Sequence, residues 1–279
     1  MVKYELIAEQ LLYEGIIDQQ SFFHPEKMKD EELLLTHTSE YIDKLNHLQL
    51  SRKEARAIGF HISKELIVRG KHITNGTLKC AYHAMESGVS LNVAGGTHHS
   101  FADHGEGFCV FNDIAVATNI LRQRKESERI LIVDLDVHQG NGTASIFRDT
   151  PEVFTFSMHG AYNYPTRKQQ SDLDIGLPNG TEDETYLVAL ESHLSNVLSG
   201  FKPDFVFYLA GVDVLETDKL GKLSITRNGA KRRDEFVFAQ CIQREIPVAV
   251  VMGGGYSPKL RDIVEAHCNT FRLAQEMYF

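Results

Sequence analysis

Five short, largely apolar runs punctuate this chain, at Leu91–Ala94, Ile130–Val133, Val153–Phe156, Phe205–Leu209 and Pro247–Met252. They are too short for helices that must bury themselves, and they do not alternate with polar residues. Both properties suit parallel strands covered on both faces. Between them lie segments with helical spacing: Ser51–Arg69, Asn112 to about Arg124, Thr181 to Gly200, Asn228–Gln243 and Ser257–Met277. The third opens on Thr181-Glu182-Asp183-Glu184, which reads as a capping box. The portion before about residue 90 reads as mostly helical. Strands alternating with helices predict one three-layer α/β/α domain over residues 1–279, with a mainly parallel central sheet. Ligands of such sheets bind beyond the carboxyl ends of the strands.

At 279 residues, with 42% hydrophobic and 24% charged, the chain can bury a large core as a single α/β domain. A net charge of −9 argues against nonspecific nucleic-acid binding, which needs a basic surface. The four cysteines, Cys80, Cys109, Cys241 and Cys268, form no C-x-x-C pair. That argues against a disulfide framework or a thiolate zinc site and fits a reducing cytosol. The start, Met1 to Leu6, carries no signal pattern, and no apolar stretch approaches the length of a membrane span. A cytoplasmic protein is the expectation. The segment His159–Gly180, with Pro165 and Pro178, reads as a long loop on a site rim.

The residues just past the apolar runs carry the chemistry. Asp134, Asp136 and His138 sit at i, i+2, i+4, so an extended segment projects them to one face. Asp213, beyond Phe205–Leu209, can complete a set of two carboxylates and one imidazole, leaving an open position as a catalytic metal site requires. This donor set accepts zinc or ferrous iron. His98 and His99 follow Gly95-Gly96; a neutral histidine there can take a proton from water, and Asp134 is the partner to orient His98. Tyr256, after Gly253-Gly254-Gly255, can donate a phenolic hydrogen bond to an oxyanion. The segment Gly105-Glu106-Gly107-Phe108 offers a backbone carbonyl and an aromatic wall. Each feature alone has a plainer reading: an acidic helix cap, a loop carboxylate, a half-buried aromatic on a glycine turn. Their joint occurrence at strand ends points to metal-assisted amide hydrolysis.

With these motifs in hand, the chain resembles the zinc-dependent histone deacetylase family, of arginase/deacetylase-like fold. The resemblance runs from about Leu33 to Phe271 through GGTHHS (95–100), GEGFCVFNDIA (105–115), DLDVHQGNGT (134–143), AGVDVLETD (210–218), LGKLSIT (220–226) and GGGYS (253–257). It looks most like the class IV branch with its bacterial members. The resemblance implies zinc ligands Asp136, His138 and Asp213, with His98 and His99 as the tandem histidines. His99 is the better match to the general base, and Tyr256 to the transition-state tyrosine. It implies an acyl-lysine tunnel walled by Phe108, Tyr164 and Leu220, with the Gly107 carbonyl on the substrate amide and Gly254 also in contact. It further implies structural potassium, held by Asp134, Asp136, His138, Ser157 and Met158, and a second such site at Phe147, Thr150 and Val153. Asn141 stands where many relatives carry an aspartate beside the second histidine; it orients His99 without supplying charge.

Family members usually carry a further strand and a His-Pro segment before the region matching Tyr4–Gly15, so this chain is expected to lack that N-terminal strand. The implied substrate is an acyl-lysine protein or peptide, or a small acylated amine. Rival readings are an acetylpolyamine amidohydrolase and a catalytically silent acyl-lysine binder. A two-metal ureohydrolase would need further aspartates, which DLDVHQG and GVDVLE do not supply.

Overall fold

The apolar runs do form one sheet. In the computed structural model, which describes residues 2–279, helices α1 (Val2–Tyr13), α2 (Asp30–Leu33), α3 (Ser39–Asn46), α4 (Arg52–Ile58) and α5 (Lys64–Ser87) precede strand β1 (Val89–Asn92). There follow α6 (Asp113–Gln123), β2 (Ile130–Asp134), α7 (Asn141–Phe147), β3 (Val153–Gly160), β4 (Leu173–Leu177), α8 (Asp183–Phe201), β5 (Phe205–Leu209), α9 (Arg227–Gln243), β6 (Val248–Val251) and α10 (Leu260–Tyr278). The strand order is β1-β6-β5-β2-β3-β4, with every neighbouring pair parallel. Helices cover both faces, and the three-layer expectation holds.

Strand alternation divides the core in two. Leu131 and Val133 of β2, with Val206 and Tyr208 of β5, face a cluster that includes Leu11, Leu190, Phe238 and Phe271 from α1, α8, α9 and α10. Ile130, Ile132, Phe205 and Phe207 face the other side, where Leu45, Leu78, Ala81 and Ile114 come from α3, α5 and α6. Every residue of β2, β5 and β6 is buried, which is why those runs read as continuously apolar.

Three local expectations need correction. The segment 159–180 is not all loop: its second half holds β4, which pairs with β3 from Phe156↔Leu173 to Gly160↔Leu177. As the sheet edge, this strand needs burial on fewer sides, so Asp174 and Gly176 interrupt its apolar pattern. The Ser51–Arg69 segment is two helices rather than one, because Gly59 adopts φ +82° and caps α4 in the left-handed region. The capping box at Thr181 does not form. Its hydroxyl donates to the Pro178 carbonyl at 2.8 Å, and α8 starts two residues later with Asp183 bonded to Thr226, the residue that caps α9.

No helix is long and apolar enough to cross a membrane among the described residues. All four cysteines are free and buried.

Candidate active site

Strands β2 and β5 are neighbours in the sheet, yet the chain leaves them in opposite directions, β2 towards β3 and β4, β5 towards β6. Their carboxyl ends therefore part and open a crevice, the place where such sheets hold ligands. Asp136 and His138 come from the segment after β2, Asp213 from the segment after β5. Each offers one donor atom, and these atoms lie within 4.8 Å of one another. Among the described residues, no other group of His, Cys, Asp or Glu side chains clusters in this way. His138 Nδ1 lies 2.9 Å from Asp136 Oδ1 and 3.2 Å from Asp213 Oδ2. The second contact lacks hydrogen-bond geometry, so Asp213 Oδ2 is fully buried without a donor.

Burial and the nearby Asp213 carboxylate push Asp136 up to about 6. Against burial, the two carboxylates push His138 up to about 10. Two crowded buried carboxylates and an undonated oxygen call for positive charge between them, so the donor set fits a divalent cation.

The segment after β1 brings the histidine pair to the same place. Both rings are buried, with centroids 4.1 Å apart. His98 Nδ1 lies 2.6 Å from Asp134 Oδ2. Burial opposes charge on His98, but the Asp134 and Asp136 carboxylates outweigh it and push the ring up to about 9. His99 goes the other way: burial, then the charge on His98, hold it well below the ordinary histidine range. Its Nδ1 lies 2.7 Å from Asn141 Oδ1. Two adjacent histidines are thus pushed in opposite directions, His98 upward by the Asp134 and Asp136 carboxylates and His99 downward by burial and the charge on His98.

The glycines before Tyr256 bring backbone against the carboxylates. A Cβ on Gly254 (φ +57°) would lie 2.1 Å from Asp213 Oδ2, so only glycine fits there. Three contacts fix the turn: Lys3 Nζ donates to the Gly254 carbonyl, Tyr256 N–H donates to Asp218 Oδ2 at 2.6 Å, and the Lys3 ammonium lies 5.8 Å from the Tyr256 ring. Burial, then the Asp136 and Asp213 carboxylates, raise the Tyr256 phenol, which keeps it a hydrogen-bond donor.

These groups open onto one cavity of about 710 Å³. His98, His99, Asp136, His138, Asp213 and Tyr256 line it, and so do all five expected substrate contacts, Gly107, Phe108, Tyr164, Leu220 and Gly254. Phe108, Tyr164 and Leu220 are more than 40% exposed and form the mouth. The Tyr164 ring stands edge-on to His99 at 4.9 Å, and Phe108 lies 6.0 Å from Tyr256. Asp134 and Asn141 stand one layer back, buried behind the two histidines.

Of the positions expected to hold potassium, Asp134 and Ser157 face each other in the β2–β3 register. Ser157 Oγ also lies 2.9 Å from His159 Nδ1. Phe147, Thr150 and Val153 sit together, joined by Thr150 N–H to Phe147 O and Val153 N–H to Thr150 O, but at the opposite end of β3 from the cavity.

Several residues around the site were given no role from the sequence. Lys3 and Tyr4 line the cavity from α1, and Asp218 holds the Tyr256 backbone. Glu106 accepts from the Asn141 amide. Arg233, fully buried in α9, donates to the Gly211 and Leu135 carbonyls beside two expected ligands. Charged residues read as surface until the fold buries them.

A parallel six-stranded sheet with a two-carboxylate, one-imidazole cluster at its switch point defines a protein of the arginase/deacetylase-like α/β class. The histone deacetylase domain family matches residues 1–271. The chain belongs to the histone deacetylase family, a family of hydrolases. An uncharacterized protein of Picosynechococcus sp. is 45% identical over 278 residues, covering 100% of this chain and 93% of that protein. Histone deacetylase 2 of Arabidopsis thaliana is 30% identical over 266 residues, covering 91% and 68%. Acetoin utilization protein AcuC of Bacillus subtilis is 33% identical and covers 76% of this chain, which in turn spans 60% of AcuC. Among solved structures, a histone deacetylase homologue from Aquifex aeolicus superimposes with a TM-score of 0.82 at 28% identity, covering 95% of this chain and 76% of that one. A structure of such a homologue complexed with SAHA gives the same figures.

Proposed function

We propose that this chain is a single catalytic domain that hydrolyses the amide of an acylated lysine side chain. The observation that carries this reading is the meeting of three elements on one cavity wall: the Asp136, His138 and Asp213 donors, the His99 imidazole and the Tyr256 phenol. Asp136, His138 and Asp213 would hold zinc, although ferrous iron suits the same donors. When bound, zinc supplies Lewis acidity to an acyl carbonyl and to a water molecule.

The protein's own groups do the rest. His99 Nε2 takes the proton of the attacking water, because its Nδ1 is committed to Asn141. Tyr256 donates its hydroxyl hydrogen to the carbonyl oxygen as negative charge grows there. Asp134 holds His98 charged and in register. The proton gathered on the histidine pair passes to the departing amine as the C–N bond breaks, leaving a carboxylate and the free lysine. Phe108, Tyr164 and Leu220 hold the lysine stem, with the Gly107 carbonyl on the substrate amide and Gly254 beside it. A potassium ion among Asp134, Asp136, His138, Ser157 and Met158 would brace the ligand loops, with a second near Phe147, Thr150 and Val153. The likeness to class IV relatives and the cavity volume extend the candidate acyl groups beyond acetyl.

The test is turnover of peptides bearing acetyl-, octanoyl- and myristoyl-lysine, beside acetylspermidine, with zinc-loaded protein and a chelator control. Chelator-sensitive release from any acyl-lysine peptide supports the deacylase reading, and the preferred chain length measures usable depth. Release from acetylspermidine alone moves the assignment to an acetylpolyamine amidohydrolase. No release from any substrate, with zinc bound, leaves an acyl-lysine binding protein.

A further inference from the structure

We propose that Glu106 is a positioning residue which, through the side-chain amide of Asn141, fixes the tautomer of His99. The inference rests on reading His99 as the group that accepts a proton from water.

Asn141 is 2% exposed and its two amide ends face different partners. Nδ2 donates to Glu106 Oε1 at 2.5 Å, while Oδ1 lies 2.7 Å from His99 Nδ1. The chemistry permits only one arrangement. A carboxylate only accepts, so the amide NH2 must turn towards Glu106 and the amide oxygen towards His99. That oxygen also only accepts, so the hydrogen of the neutral imidazole must sit on Nδ1, leaving the Nε2 lone pair free. An asparagine alone would not choose. Flipped by 180° it would offer NH2 to His99, accept no hydrogen from Nδ1, and favour the tautomer with hydrogen on Nε2. Glu106 removes that alternative, and its negative charge stands one residue further from the ring than a direct aspartate would.

The loop carrying Glu106 is pinned. Gly107 N–H donates to Ala57 O at 3.0 Å, Phe108 N–H to Ile58 O at 2.8 Å, and Cys109 N–H to Glu106 O at 2.9 Å. At Gly105 there is no space for a side chain, since a Cβ would lie 2.5 Å from Cys109 O and 2.6 Å from Tyr41 Oη. Gly107 presses on His99 itself, with an added Cβ 2.6 Å from its Cδ2. One short loop therefore contributes a cavity wall through Phe108, contact with the ring through Gly107, and the orientation of the ring's partner through Glu106.

The experiment combines kinetics with long-range 1H–15N correlation of histidine side chains in zinc-loaded protein, His99 being assigned by its loss in His99→Gln. In the wild type, His99 should show hydrogen on Nδ1. In Glu106→Ala a population with hydrogen on Nε2 should appear, and kcat should fall roughly tenfold or more with KM held within about twofold. Adding Asn141→Asp to Glu106→Ala should restore the Nδ1–H form and most of kcat, because a carboxylate then faces the ring directly. Asn141→Asp alone should do the reverse, since it sets two carboxylates against each other. An unchanged tautomer and kcat in Glu106→Ala would overturn the proposal, as would Asn141→Asp acting alike in both backgrounds. If the wild type hydrolyses no acylated amine, the deacylase reading fails, while the tautomer comparison still decides the role of Glu106.

Discussion

Arg233 Nη1 donates to the Gly211 carbonyl at 2.5 Å, from a side chain with no solvent exposure at all. The same nitrogen reaches Leu135 O at 3.3 Å. One guanidinium from α9 thus ties together the two segments that carry Asp136 and Asp213. Its charge is met by Asp234, which in turn accepts from Tyr208 and Thr270. Arg233→Met should cost about 3–5 kcal/mol of unfolding free energy, because it leaves Asp234 buried without its cation. Urea denaturation measures this, and Arg233→Met/Asp234→Leu should recover much of the loss. The single variant should also bind zinc more weakly in a chelator competition, since its ligand segments lose their tie.

Tyr256→Phe should keep the metal and the fold but lower kcat by about 10²–10³, the usual cost of one oxyanion donor. The readouts are metal content, melting temperature and turnover on the best acyl-lysine peptide. A near-normal kcat would remove Tyr256 from the chemistry.

Gly254→Ala should fail differently. A left-handed alanine costs about 1–2 kcal/mol, and its methyl group would collide with Asp213 Oδ2. The expected result is a protein with reduced zinc content as well as reduced activity. Full zinc occupancy would show that the turn can move away from Asp213.

His37 predicts an acid limit to stability. It is 2% exposed, with Nδ1 on Phe101 O at 3.0 Å and Nε2 accepting from Asn112 N–H at 3.1 Å, a bond that a proton on Nε2 would break. Burial lowers it from 6.5 to about 4. The unfolded chain therefore binds a proton near pH 6.5 and the native state only near pH 4. Stability is fully present above that range and is lost as pH falls through it, by on the order of 3 kcal/mol. Urea unfolding at several pH values from 7 to 4 should show this decline, and His37→Gln should flatten it. Equal slopes for the two proteins would dismiss His37 as the cause.

The sheet and the grouping of the proposed donors were legible because strand burial and strand-end chemistry leave local marks. The runs at Ile130–Val133 and Phe205–Leu209 are apolar throughout, since both faces of β2 and β5 are covered. Past β2 the chain bends at residues 136–138 rather than staying extended, with the Asp134 and Asp136 side chains accepting from the N–H groups two residues on, so Asp136 and His138 stay together while Asp134 turns to His98. The features that stayed hidden depend on distant partners. β4 lies on an edge and needs less apolar sequence. Glu106 and Arg233 look like ordinary surface charges, and their roles arise only when Asn141 is brought beside one and Gly211 beside the other. The Thr181 capping box failed because the Pro178 carbonyl and Thr226 offered its residues other partners.

The proposed metal donors stand on the seam between β2 and β5, and between Asp136 and Asp213 the chain makes α7, β3, β4, α8 and β5. No continuous half of the protein owns the whole donor set. On the proposed reading, ion capture would be a late checkpoint on assembly: a chain that has not closed its central strand pair presents two donors and then one, never three. Once closed, an ion held as proposed would link the two halves of the sheet, and its binding free energy would become folding free energy. Affinity for the proposed ion would report the completeness of the fold as much as the chemistry of three side chains.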